Sequence, residues 1–262
     1  NFVVGGDPDH DNPLIIANRM EANGKLVLRN DIGLAVDASE SFSFNGTTLD
    51  IEGYGGIDAD GGVNITADST TIITNVISPI ASTGYVYIDS DYLFLQNLME
   101  EELHPLAVWA GISAYGDVTV ISDDATIIGR FGIRVAQWLQ DTQGNVSLRG
   151  NFHVIGTIDQ AILCDNDVTV EGSLIAQGSV TEQGSDNPFD YGECYTIYAN
   201  RFSFNGTTLN IEGYGGIYAE GEVNIIADSV VITTDVGTAI RGCEVYVTAN
   251  DLWAENKATK VN

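Results

Sequence analysis

Asp68, Asp91 and Asp123 recur at one place in a repeating pattern, the polar turn that follows a short V-x-I run. If those turns stack one strand spacing apart, the carboxylates lie about 4.8 Å from their neighbours. Such a pair repels by roughly 1 kcal/mol in water and by about 3–4 kcal/mol at an effective dielectric of 20. Two arrangements relieve that repulsion. Backbone N–H groups can hold each carboxylate in an Asx turn, the ordinary use of Asp at a bend. Alternatively a hard cation sits on the column, and calcium is the ion suited to carboxylate and carbonyl oxygens in loose geometry. Asp31, Asn151, Asp228 and Asn250 stand at the same place in other copies of the pattern, and no cofactor is required by it.

A second set of residues has the types a polysaccharide lyase or hydrolase would use. Arg134 falls at an outward position of a short strand, with Glu100, Glu101, Glu102, Asp186, Asp190 and Glu193 in neighbouring loops. A lyase acting on an acidic sugar would employ Arg134 as base near calcium-bearing carboxylates. A hydrolase would need two carboxylates about 5–9 Å apart across one bond, which the spacing of these loop acids does not impose. His104 and His153 stand alone, without a matched nucleophile.

The third set is aromatic. Tyr198 and Tyr218 share one outward position on adjacent repeats, with Arg241 next in line. Tyr87, Tyr92 and Phe94 group on one repeat, and Tyr246 with Trp253 on another. Trp109, Trp138, Phe189 and Tyr191 lie in loops. Exposed flat rings serve as platforms for sugars, and exposed apolar patches mark contact sites. Aromatic residues also favour strands for reasons of packing alone.

All three sets are organised by a repeat. Ser41–Thr74 returns almost verbatim as Arg201–Thr234. Within each copy apolar and polar residues alternate, as in Phe42-Ser43-Phe44 and Val63-Asn64-Ile65, which is the period of half-buried strands. Asn-Gly, Gly-Gly and Ala-Asp-Ser punctuate the runs with turn chemistry. The unit reads G-I-x-A, then V-x-I, then a third short strand, restarting after roughly 20–23 residues. The first column runs from Gly33-Leu34 to Ala239-Ile240. The second runs from Leu26/Leu28 through Phe42/Phe44 to Val245/Val247, and the third from Leu49/Ile51 to Leu252/Ala254.

Three strands per coil, about ten coils, and like residues stacking on like resemble the single-stranded parallel β-helix over Leu26 to Ala254. The fold class expected is all-β, with right-handed winding by the crossover rule. An antiparallel sandwich also has many short strands, but it does not explain three turn types in fixed order. The outline GIxAxGxVxIxAD, in an acidic, Gly-rich chain, is similar to bacterial secreted or cell-surface β-helix proteins, including carbohydrate-binding and adhesin-like modules. That resemblance implies an extracellular setting and polysaccharide contact; it carries no catalytic motif.

Residues 1–12 read as a linker or cap, and 13–262 as one β-helix domain. Asp7, Asp9 and Asp11 alternate like a calcium loop, but Asn12 and Asn18 stand where that loop wants Gly and an acid. Insertions fall near 97–109, 137–144 and 180–194. Solenoid insertions often build the binding face. The first and third leave one corner about 14 Å apart at one strand spacing per coil, walling a trough over the coils at Gly111, Gly132 and Ala161.

The formal net charge is −27 with only 10 Lys plus Arg, which excludes the basic footprint of a nucleic-acid binder. No apolar run approaches the roughly 20 residues of a membrane span. Of three cysteines, Cys164 and Cys194 fall on neighbouring coils, so a bond between them and buried free thiols are both compatible with the spacing. Three functions fit: a non-catalytic module binding polysaccharide or another surface ligand with or without calcium, a polysaccharide lyase or hydrolase, and an adhesin stalk or spacer. The expected state is a monomer or one module of a larger chain.

Overall fold

The computed structural model describes residues 2–5, 13–98, 110–135, 144–178 and 195–257. It contains a single 19-stranded sheet, and every pairing in it is parallel. The chain winds as a parallel β-helix. Ile15, Val36, Ile57, Ile80, Ile112, Ile133, Ile162, Ile197, Ile217 and Ile240 occupy the first-strand position of successive coils. Inward Val, Ile, Leu and Phe from each coil stack on those of the next, and nearly all are shielded from water between Leu26 and Ile232. Each completely buried Leu, Ile or Phe side chain contributes roughly 1.5–3 kcal/mol through burial.

The first strand is short, as in Ile57–Ala59, whereas the second and third form one bent strand, as in Gly62–Thr74. At the bend the inward residue is always small. The series Gly24–Gly46–Ala67–Ser90 and Ser122–Gly150–Gly172–Gly206–Ala227–Ala249 pair step by step. A Cβ added at Gly172, where φ is +118°, would stand 2.1 Å from the Gly150 carbonyl oxygen. The backbones approach too closely there for anything larger. The opposite corner is built from Asn30–Gly53–Thr74–Asn97 and Gly129–Gly156–Gly178–Gly213–Thr234–Asn256. Here buried side chains tie down the turn: Asn97 Nδ2 donates to the Ile77 carbonyl at 2.9 Å, and Thr234 Oγ1 to that of Gly237 at 2.9 Å.

Two column assignments change. Leu26 and Leu28 pair with Leu49 and Ile51, so they belong to the third column, and Met20 and Ala22 pair with Phe42 and Phe44 in the second. The first-strand position of the next coil is Ala35-Val36 instead of Gly33-Leu34. A complete coil therefore begins at Ile15, earlier than the periodicity indicated. Asp31 falls with them: it follows Asn30, at the opposite corner from Asp68. A bare Leu-Val-Leu alternation fits any inward column, so only the corner residues tell the columns apart.

Candidate functional site

The acid column lies where the bend pushes one residue out of the pairing. Ala67 pairs with Ser90 and Ser69 with Tyr92, leaving Asp68 opposite Asp91; Asp123 follows one coil on. All three side chains are exposed. The turn is held by local donors: Ser122 Oγ to the Asp91 carbonyl at 3.3 Å and Asn151 Nδ2 to the Asp123 carbonyl at 2.8 Å. Farther along, Asn250 Nδ2 donates to Asp228 Oδ1 at 3.2 Å. Among the described residues no group of three or more His, Cys, Asp or Glu side chains is arranged to hold a metal ion.

Arg134 occupies the outward position of Phe131–Val135, in register with Ser113 and Leu163. It is nevertheless only 4% exposed, with its guanidinium 5.4 Å from the Phe131 ring centroid. Burial lowers its pKa, while Tyr115, Asp165 and Asp159 act to raise it. Beside it Arg130 Nε bonds Asp159 Oδ2 at 2.6 Å. Arg134 and the Arg130–Asp159 pair are thus packed down on the coils expected to floor the trough. Trp109, Trp138, Phe189, Tyr191, His104, Cys194 and the acids Glu100, Glu101, Glu102, Asp186, Asp190 and Glu193 lie outside the described residues, as do Asp7, Asp9 and Asp11.

Tyr198 and Tyr218 pair in register, and their rings stack with centroids 5.2 Å apart and planes 15° from parallel. The Arg241 guanidinium lies 5.4 Å from the Tyr218 centroid, and the buried Tyr195 ring is 5.0 Å from it. Column neighbours therefore occupy the faces of Tyr218, so the ladder offers edges and hydroxyls to the solvent. The Tyr198 hydroxyl donates to Glu220 Oε1 at 2.8 Å. Tyr92 and Phe94 share the outward face of the third strand, whereas Tyr87 points from the second wall of that coil; Tyr246 and Trp253 are likewise divided between two walls.

A half-exposed ring occurs elsewhere. Tyr85 lies against Gly62, where an added Cβ would come within 2.3 Å of its Cε1, yet the residue is 50% exposed. It borders an open depression of about 390 Å³ lined by Asn64, Tyr85, Val86, Tyr87, Asp117 and Thr119. Asn64, Tyr87 and Thr119 are consecutive rungs of the second wall. Asp117 is held by Asn145, whose backbone N donates to Oδ1 at 2.8 Å. Tyr85 escaped the sequence reading because it sits at a turn. Its signal was the glycine one coil below, Gly62, which leaves room for a ring.

Cys164 points inward with its Sγ 3.5 Å from the Gly144 carbonyl, and burial pushes its thiol up to about 12. Cys243 is a free thiol too, but an exposed one. Asp37 and Asp58 pair across adjacent coils, and burial, then Asp37 and Asp60, raise the Asp58 carboxyl pKa. No helix among the described residues is long and apolar enough to cross a membrane. No protein-family model, curated protein or solved structure matches the chain.

Proposed function

We propose that the chain is a non-catalytic, extracellular or cell-surface β-helix that holds a polysaccharide on its outer wall. The observation that carries this reading is the Tyr85 depression, where a half-exposed ring backed by Gly62 adjoins Tyr87, Asn64, Asp117 and Thr119. A pyranose ring presents C–H groups to an aromatic face and hydroxyls to side-chain amides and carboxylates, and that combination is found there. The stacked Tyr198–Tyr218–Arg241 column supplies a second polar strip, with hydroxyls and a guanidinium at its edge.

The test is retention of the chain on a panel of neutral and acidic polysaccharides, compared with Tyr85→Ala. Retention of wild type with about two- to tenfold weaker binding of the variant supports the reading, since aromatic contact is worth roughly 0.5–1.5 kcal/mol. No retention of wild type on any polymer counts against it. Calcium is an added arm: binding that survives chelation removes the metal from the proposal. The lyase reading requires Arg134 to reach a substrate, and its burial argues against that role.

A further inference from the structure

One outward row of the second wall carries no charge, in a chain whose net charge is −27. Ser43, Asn64, Tyr87, Thr119, Ser147, Thr169, Ser203 and Asn224 pair in register on eight successive coils. At one strand spacing per coil the row runs about 34 Å along the solenoid axis. Every member ends in a hydroxyl or an amide, and every one is half-buried or exposed. Among the described residues, none of the eight spends that group on another protein atom. The third wall differs: there His153 Nε2 and Gln177 Oε1 bond from coil to coil at 3.1 Å, and Gln177 Nε2 donates to Glu212 Oε2 at 3.2 Å. Neutrality is not a property of the whole second wall either. Its next outward position, two residues on, includes Asp89, Arg149 and Glu171.

The Tyr85 depression lies on this row. Asn64, Tyr87 and Thr119 are three of its rungs, and Tyr85 and Asp117 each stand two residues before a rung, at the corner. That corner is acidic: Asp60, Asp117, Asp165 and Glu220 all fall between a first strand and a second. Between Arg29 and Arg130 the chain has no Lys or Arg at all. Of the cations beside the row, Arg149 pairs with Glu171 at 3.0 Å and Arg201 with Asp167. We infer that the ligand of the depression is a neutral polysaccharide, held extended along the axis so that successive sugars meet successive rungs. The inference rests on the polysaccharide reading and narrows it. Sugar hydroxyls donate and accept, as do the Ser, Thr and Tyr hydroxyls and the Asn amides, so each rung can bond a sugar in either sense. A polyanionic chain would instead bring its charges against the acidic corner, and like charges in contact cost affinity. Tyr85 supplies a flat ring at one place; the row supplies reach.

The experiment is retention of the whole chain on soluble β-glucan, mannan and xylan, each beside its carboxymethylated form. At least one neutral polymer should be retained, and its carboxymethylated form should bind at least about tenfold more weakly at low salt. Thr169→Ala/Ser203→Ala/Asn224→Ala removes three rungs two to four coils beyond Thr119, outside the depression. One lost hydrogen bond is worth about two- to tenfold, so retention of the neutral polymer should fall at least about tenfold. The deficit should shrink as that polymer is shortened to a trisaccharide, and the melting temperature should match wild type. The control Thr71→Ala/Thr126→Ala, on the third wall, should bind as wild type does. If Tyr85→Ala weakens retention while the three-rung variant binds as wild type, the inference falls and the polysaccharide reading stands. A third-wall control that loses retention equally has the same meaning. Equal or tighter retention of a carboxymethylated form overturns the neutral class, and retention of no polymer overturns both.

Discussion

Gly62 and Tyr85 show how a single missing side chain makes room for a chemical surface. The ring occupies the space a Cβ would need, so Gly62→Val should lift Tyr85 from the wall and weaken polysaccharide retention as Tyr85→Ala does. Gly172→Ala acts through the backbone instead. With φ at +118° and the Gly150 oxygen in the way, it should cost about 1–3 kcal/mol, read as a lower urea midpoint. Asp58 offers a signed pH test. Its pKa is raised by burial and by Asp37 and Asp60, so the folded chain is favoured while Asp58 holds its proton, and that advantage is lost as pH rises through the carboxylate range. Asp58→Asn should therefore raise the melting temperature at neutral pH and leave it unchanged in acid. Cys164, with its thiol near 12, should resist alkylation at about pH 8 while Cys243 reacts, as peptide mapping would show. Its burial also makes stability fall as pH rises from the ordinary thiol value towards 12.

Coils were readable in the sequence because the inward pairs, from Phe42/Phe44 to Val223/Ile225, alternate with polar residues and return at a steady period. Their closing corners were not. Gly, Ala and Ser at one bend and Asn, Thr and Gly at the other are the commonest turn residues, so their alignment into columns emerges only once the register is known. For the same reason Leu26/Leu28 was legible as a strand but not as a member of its column. Arg134 was correctly placed on the outer wall, but whether an outward side chain meets water depends on what packs over it, which no local spacing encodes. The polar corner is expected to bear load. Asn97→Ala removes the donor to the Ile77 carbonyl and should cost about 1–3 kcal/mol, measured by equilibrium unfolding.

Charge dominates the molecule as a whole. At a net −27 the coils repel one another along the axis, a destabilising field that salt screens. Added sodium chloride should therefore raise the melting temperature. Each coil touches only its neighbours, so unfolding should begin at the ends and proceed inward. The two near-identical blocks bear on that architecture in another way. Phe42 meets Val63 as Phe202 meets Val223, and both copies step over one residue at the bend, at Thr47 and at Thr207. A recombination event that joined the first half of one block to the second half of the other would excise everything between them and leave no seam. Such a spliced chain would wind as a shorter rod that keeps the coil of Arg19, Lys25 and Arg29 and the coil of Glu244, Asp251 and Glu255. Length in this fold is thus a heritable variable, adjustable in whole turns without redesigning the coils on either side.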